Sequence, residues 1–515
     1  MSVNILWADD EIELLKPHIM FLEQKGYEVA TVTNGADAVE KVENEKFDIV
    51  FLDENMPGLT GLETLTKIKE INNLIPVIMI TKSEEEHIME DAIGGKISDY
   101  LIKPVNPNQI LLSLKKNLDE RKLVSEKTSS NYQREFRDLG MRINDRLDWE
   151  EWIDVYKKLI YWDLELEKSG DQGMQEVLKM QKTEANSQFS RFIEDNYLEW
   201  TNEVSDDIPP MSNSILKNWV FPIADQSPLF LIVIDNLRQD QWKVLKPLIS
   251  PYFNIDEEKS FFSILPTATH YARNTLFSGL MPSEMEKKHR DIWLNEDEEG
   301  GKNMHEQEFL EGNLKRNNKS YKTSYNKITN LNSGKKLVDN FNQLENNHLN
   351  VIVYNFVDML SHARTEMEVI KELADDEAAY RSLTRSWFEH SPLKEVMVKI
   401  AEKGFKMIIT TDHGTVRVDE PVKIVGDRNT NTNLRYKVGR GLSYNEKEVF
   451  RIKNPEEGKL PQHALSSEFV FAKNDQFFVY PNNYNHYVSY YRDTFQHGGI
   501  SMEEIIIPFV ICSAK

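Results

Sequence analysis

The chain has 515 residues, with 62 Lys and Arg against 84 Asp and Glu, a formal net charge of -22 and a single cysteine. At roughly 100–200 residues per domain that length calls for about three domains. Hydrophobic residues at 40% and charged residues at 28% supply packed cores and exclude the disordered and membrane classes.

The longest apolar runs, such as Leu229–Ile234, fall far short of the ~18 residues that cross a bilayer. The opening MSVNILWADDE has no basic region followed by an apolar stretch and a cleavage site. A cytoplasmic protein without a membrane segment is expected. One cysteine, Cys512, excludes an internal disulfide and any cysteine-built metal site. A transition metal must then be held by His, Asp or Glu. The acidic balance argues against non-specific DNA binding, which needs a basic footprint, and no DNA-binding motif is visible.

Over residues 1–118 short apolar runs alternate with amphipathic stretches. Val3–Ala8, Val29–Val32, Asp48–Leu52, Val77–Thr81 and Asp99–Lys103 read as buried strands. Glu11–Lys25 and Glu84–Ile93 read as helices between them. That alternation predicts a doubly wound parallel sheet, whose sites gather at the carboxyl ends of the strands. Residues 119–215 change character. In DWEEWIDVYKKLIYWDLELEK, Trp149, Trp152, Tyr156 and Leu159 share one helical face. A helical bundle linker is expected, its aromatics forming core, with Pro209-Pro210 as a boundary.

From residue 216 to 515 apolar strands return, each followed by a polar residue of chemical interest. Leu229–Ile234 ends in Asp235, Val351–Val357 in Asp358, and Met407–Thr410 leads to Asp412-His413. The stretch Glu284–Asn332 is charge-dense and reads as an insertion or lid.

In the first block Asp9-Asp10 follow the first strand and Asp53 ends the third. Thr81 ends the fourth, and Lys103 ends the fifth before Pro104. Parallel strands put these ends on one edge. Clustered carboxylates make a hard oxygen site suited to Mg²⁺, and an ammonium and a hydroxyl can hold an acyl phosphate on a central aspartate. An Asp-Asp pair or a Lys-Pro dipeptide alone is a solvated loop; five residues at the right strand ends are not.

WADDE, LDENMPGLTGLE, MITKS and DYLIKPV resemble the receiver domain of two-component response regulators. The resemblance implies that Asp53 is the phospho-acceptor, and that Asp9, Asp10, Asp53 and the Asn55 carbonyl serve Mg²⁺. It also implies that Thr81 and Lys103 contact the phosphoryl group, with Tyr100 as the switch aromatic. Thr60 departs from the commoner MPGxDG pattern, outside the pocket.

In the last block Asp358 and His362 lie four residues apart after a strand, so a starting helical turn points both at one metal. Asp412-His413 gives adjacent ligands at another strand end, His497 lies in QHGGISMEE, and Asp235 closes a strand. Two groups of Asp and His ligands suit a pair of Zn²⁺ ions, with Mn²⁺ as the alternative. The segment PTATHYARNTLFSGLMP offers Thr267 or Thr269 as a nucleophile ahead of a helix Tyr271–Ser278. A metal would activate the hydroxyl, and the helix dipole would favour an anion. Each residue alone is more often a helix cap. The basic cluster Arg428, Arg435, Lys437 and Arg440, with Arg273 and Asn274, could bind substrate phosphate, or be surface charge. His270 reads as packing.

The order Asp, Thr, Asp-x3-His, Asp-His, His resembles the alkaline phosphatase superfamily, and the local sequences resemble its PglZ branch. The resemblance implies Thr269 as nucleophile. It implies one zinc among Asp235, Thr269, Asp412 and His413, and a second among Asp358, His362 and His497. Receiver, helical linker and PglZ domain together are similar to response regulators of the PorX type. That architecture implies a zinc-dependent phosphodiesterase output, oligonucleotides among its substrates, and a role in type IX protein secretion. It also implies a sensor histidine kinase, an extracytoplasmic-function sigma factor and secretion components as partners, and a homodimer on phosphorylation. The alternative is a signalling adaptor that acts by protein binding around a structural or vestigial metal site. A sulfatase, phosphomonoesterase or mutase would share the same metal core.

Overall fold

The computed structural model describes residues 3–72, 75–81, 97–203, 207–366, 376–427, 430–462 and 466–515, with backbone alone at 119–126 and 363–366. The expected helix Glu84–Ile93 lies outside the described residues. The chain divides into two compact units, Met1–Glu135 with Glu165–Gln175, and Phe136–Leu164 with Glu176–Lys515.

The first unit carries a five-stranded parallel sheet in the order β2-β1-β3-β4-β5. The strands are β1 (Val3–Ala8), β2 (Tyr27–Val32), β3 (Ile49–Asp53), β4 (Val77–Thr81) and β5 (Asp99–Ile102). Strands β3 and β4 are buried along their whole length, which is why they read as unbroken apolar runs. Thr60, the departure from the commoner pattern, caps the helix Gly61–Ile71 in a box with Glu63, satisfying its first amides.

Three long helices follow, Pro107–Ile143, Trp149–Ser169 and Gln172–Asn202. Trp152, Tyr156 and Leu159 are buried as the aromatic stripe predicts, and Trp152 packs edge-on against Phe189 at 5.4 Å. In the second unit these helices carry buried charge. Lys182 bridges Asp163 (3.3 Å) and Glu377 (2.9 Å), and Arg381 spans Asp163 (3.0 Å) and Asp240 (3.1 Å). Asn186 donates to Glu503 (2.9 Å) and accepts from the Met502 amide (2.8 Å).

The main sheet of the second unit has six strands: β6 (Leu229–Ile234), β7 (Phe253–Phe262), β8 (Thr323–Ile328), β9 (Leu349–Tyr354), β10 (Lys406–Thr410) and, last in the chain, Ile506–Ala514. In the sheet, β10, β6, β9 and β8 run parallel in that order, and the last strand lies antiparallel between β10 and β7. The register sets Ile234 opposite Tyr354 and Thr410 opposite Val233. The carboxyl ends of β6, β9 and β10 are therefore level, and the residues after them share one edge.

The charge-dense stretch 284–332 is not a simple insertion. Its last part is β8, an edge strand paired with β9, and Glu306 within it is buried. Its polarity misleads because a half-buried edge strand carries few apolar residues. Among the described residues, no helix is long and apolar enough to cross a membrane.

Gly414 follows His413 at the β10 end, and a Cβ there would sit 2.0 Å from the Glu503 carbonyl oxygen. Backbone cannot yield as a side chain can, so Gly414→Ala is expected to cost about 3 kcal/mol or more, measured by urea unfolding of the full chain.

Candidate metal centres

In the first unit the ligand atoms of Asp9, Asp10 and Asp53 lie within 4.8 Å of one another. Lys103 Nζ spans the pocket, 2.9 Å from Asp9 and 2.6 Å from Asp53. Burial raises the Asp53 pKa and the Asp9 charge adds to it, against the Lys103 hydrogen bond. Burial alone would lower the Lys103 ammonium, but its hydrogen bonds to Asp53 and Asp9 leave it raised. The Asn55 amide donates to Asp53 (3.1 Å), and Thr81 donates to Glu54 (3.0 Å). Tyr100, half-buried, packs against the core. All-oxygen donors fit Mg²⁺, which keeps several waters.

In the second unit two clusters form at the level strand ends. One is Asp235, Asp412 and His413, all buried; the other is Asp358, His362 and His497. The His413 and His497 rings stack at 4.4 Å, so the clusters adjoin. His413 Nδ1 lies 3.1 Å from the Gly414 carbonyl, and His497 Nδ1 3.2 Å from that of Thr267. A carbonyl only accepts, so each Nδ1 carries the proton and each Nε2 is left as a donor atom for a cation. Asp412 Oδ2 is buried without a hydrogen-bond partner, an arrangement that costs free energy unless a cation completes it.

The electrostatics agree. Burial raises the Asp235 carboxyl, with Asp412 repelling it, against Arg273 and His413. Burial pushes Asp358 up to about 6, with Asp235 adding and His362 opposing. Burial holds His497 well below its usual value, and His413 and His362 push it further. A neutral imidazole is the ligating form.

Thr269 opens the helix Thr269–Ser278, which starts earlier than the expected Tyr271. Its hydroxyl donates to Asp235 Oδ1 (3.4 Å) and lies 3.1 Å from His413 Nε2. Thr267 faces away: its hydroxyl donates to the Gly499 carbonyl (2.9 Å) and accepts from the Gly498 amide (3.1 Å). Both glycines are needed there, since a Cβ would meet Tyr436 at 2.5 Å or the Ala472 carbonyl at 2.5 Å.

The structure corrects most of the phosphate-binding assignments. Arg435 is wholly buried, paired with Glu504 at 2.6 Å, and donates to the Lys473 carbonyl. It is a pillar under the HGG turn, because Glu504 also accepts from the Gly499 amide (2.9 Å). Asn274 is buried and donates to the His270 and Lys302 carbonyls (2.8 and 2.9 Å). Lys437 is buried, donating to the Asn431 carbonyl at 2.9 Å, and burial alone lowers its pKa to about 7. Arg440 is exposed at a strand end, and Arg428 lies outside the described residues. Arg273 does reach the site, but from beneath. Its Nη1 lies 2.7 Å from Asp235 and its Nε 2.6 Å from Glu306. His270 stacks on Trp293 at 4.7 Å, as packing predicts.

Sequence reasoning passed over Asn236. It is buried, holds a left-handed φ of 64°, and directs its amide at Asp412 (3.4 Å) and its side chain at Asp358 (3.5 Å) and Ser361 (3.3 Å). Asn tolerates that backbone better than other side chains, so its place after Asp235 was the available signal. Glu504 had none.

Breaking the buried Arg435–Glu504 pair leaves a charge without its partner. Arg435→Met is expected to cost about 3–5 kcal/mol, and Arg440→Met close to nothing, in chemical denaturation of the full chain.

Three family models match successive stretches of the chain. They are a response regulator receiver domain (5–115), a PorX response regulator linker domain (122–201) and a BREX system PglZ alkaline phosphatase-like domain (215–512). The chain is similar to the transcriptional regulatory protein ZraR of Klebsiella oxytoca, 36% identical over 24% of this chain and 28% of that protein. It is also similar to the CpxR homolog of Haemophilus influenzae, 36% identical over 22% of this chain and 48% of that protein. It thus spans less than half the length of these curated relatives. Among solved structures, a CheY-like receiver domain protein from Methanospirillum hungatei JF-1 is 32% identical, covering 23% of this chain and 96% of that one with a TM-score of 0.22. Response regulator TrrA from Thermotoga maritima is 29% identical, covering 23% and 100%, again at 0.22. With more than half of its length matched by one model, this chain belongs to the PglZ alkaline phosphatase-like family, carried behind a response regulator receiver domain and a PorX-type linker.

Proposed function

We propose that the protein is a response regulator, phosphorylated on Asp53, whose output is a zinc-dependent phosphodiesterase. The division is receiver 1–118, helical linker 119–215 and hydrolase 216–515. The observation that carries the reading is the Thr269 hydroxyl at a helix N-terminus, between Asp235 and His413 and beside the second cluster.

Asp235, Asp412, His413 and Thr269 would hold one divalent ion, and Asp358, His362 and His497 the other. The Asp and His donors fit zinc, with manganese as the competitor. When bound, such a pair supplies Lewis-acid charge that lowers the pKa of a hydroxyl and offsets developing negative charge. Asp235 Oδ1 accepts the Thr269 hydrogen bond and orients the oxygen. Thr269 Oγ1 attacks phosphorus in line, giving up its proton to solvent; the Oγ–P bond forms as the P–O ester bond breaks, and the ester oxygen leaves with its electron pair and takes a proton from solvent. The free amides that open the helix Thr269–Ser278 bind the non-bridging oxygens. Water then cleaves the phosphothreonine and returns the proton to Oγ1. Arg273, tied to Asp235 and Glu306, holds the carboxylate in place rather than touching substrate.

Asp9, Asp10, Asp53 and the Asn55 carbonyl would hold Mg²⁺, with Thr81 and Lys103 at the phosphoryl group and Tyr100 as the aromatic that responds. A sensor histidine kinase is the donor. On the PorX-type architecture rest the narrower parts of the reading: dimerisation on phosphorylation, cytoplasmic action, a sigma factor partner and a role in type IX secretion.

Hydrolysis of a chromogenic phosphodiester should fall by roughly three orders of magnitude in Thr269→Ala and in metal-stripped protein; equal rates in all three samples would overturn the catalytic reading and favour an adaptor. Asn236→Gly keeps the backbone but removes the amide that aligns Asp358, and is expected to weaken metal binding by about 10–100-fold, measured by chelator competition.

A further inference from the structure

Thr81 closes β4, is 3% exposed, and donates its hydroxyl hydrogen to Glu54 Oε2 at 3.0 Å. The contact follows from register. Strands β3 and β4 run parallel with Asp53 opposite Ile80, so Glu54 and Thr81 are the next residues along the two chains. The Glu54 amide donates to the Ile80 carbonyl (3.2 Å), and the Glu54 carbonyl accepts from the Gly61 amide (2.9 Å). Gly61 presses close on this turn, since a Cβ there would lie 2.4 Å from the Asp53 carbonyl oxygen. Backbone contacts on both sides thus hold the half-buried Glu54 against the Thr81 hydroxyl.

A hydroxyl has one hydrogen to donate. Thr81 Oγ1 can therefore serve Glu54 or a phosphoryl oxygen on Asp53, but not both. A hydrogen bond to an ionised carboxylate is of the stronger kind, so releasing it opposes the second arrangement. The charge of Glu54 acts in the same direction, because a phosphoryl group brings up to two negative charges of its own to the adjoining residue. The pocket's lysine is shared elsewhere: Lys103 lies 2.9 Å from Asp9 and 2.6 Å from Asp53.

We propose, resting on Asp53 as the phospho-acceptor, that Glu54 is an autoinhibitory latch. It holds the Thr81 hydroxyl away from the pocket and opposes occupation of that pocket by a phosphoryl group. A ligand shifts a two-state element only by its differential affinity for the two states. The phosphoryl group has to outbid the Glu54 carboxylate for one hydrogen, so this residue sets how readily the receiver switches.

The test titrates full-length protein, in the presence of Mg²⁺, with the acyl-phosphate mimic beryllofluoride, and reads the bound form by ¹⁹F NMR. Glu54→Ala is expected to bind the mimic about tenfold more tightly than wild type. Glu54→Gln keeps an acceptor for Thr81 without the charge and should fall between the two; being isosteric, it carries the test if the alanine chain does not fold. In a Thr81→Ala background, Glu54→Ala should change the affinity by less than about twofold, since the latch has nothing left to hold. An equal gain with and without Thr81 would overturn the latch and reduce Glu54 to simple charge repulsion. Unchanged or weaker binding in both Glu54 variants would overturn it as well, leaving the contact a structural tie. The phospho-acceptor reading fails separately: Asp53→Ala binding the mimic as well as wild type would overturn that reading and the latch with it, whereas loss of binding in Asp53→Ala alongside unchanged binding in the Glu54 variants would strike the latch alone.

Discussion

Carboxylates gathered at level strand ends repel one another, and both units are built around that repulsion. Register brings Asp235, Asp358 and Asp412 to one edge of the main sheet, and Asp9 and Asp53 to one edge of the receiver sheet. Each arrangement is tolerable only because a long cation reaches between the acids: Arg273 beneath Asp235 and Asp412, Lys103 between Asp9 and Asp53. Neither cation completes the site. Asp412 Oδ2 stays buried without a hydrogen-bond partner, and Asp53 keeps a raised pKa. Negative charge in excess of its internal partners is what makes each pocket receptive to a metal ion.

The neighbouring residues follow from the need to hold those acids still. Thr411 accepts from the Leu237 amide (3.1 Å) and donates to the His413 carbonyl (2.9 Å), pinning the turns after β6 and β10 together. Ser263 donates to the Asp412 carbonyl at 2.7 Å. Glu504 and Arg435 fix the turn that carries His497. None of these side chains needs to meet a substrate, yet each fixes an angle at a ligand.

Much of this was legible in the sequence because chemistry-bearing residues stood at strand ends, and buried parallel strands advertise themselves as apolar runs. Asp235, Asp358, Asp412 and His413 could be read in that way. Thr269 could be told from Thr267 only by resemblance, since both stand near the start of a helix; the structure turns one toward the acids and the other toward Gly498 and Gly499. The basic residues failed for a general reason. A sequence shows the sign of a charge but not its depth, and Arg435 and Lys437 are spent inside the fold. Edge strand β8 failed because polarity hides a strand that is covered on few sides. Glu504 was invisible because it acts on a backbone turn that only the folded chain brings near, whereas Asn236 left only its place after Asp235 as a sign.

The buried charges on the long helices bear on how this protein can be cut. Lys182 and Asp163 belong, by sequence, to the linker, yet their counterions Glu377 and Arg381 belong to the hydrolase. Asn186 likewise satisfies Glu503, next to the glutamate that secures the HGG turn. A fragment beginning at residue 216 would keep every candidate metal ligand of the second unit and still strip one partner each from the buried Glu377, Arg381 and Glu503. Such a piece would report on a damaged fold, and the smallest faithful version of the alkaline phosphatase-like domain has to retain the helices.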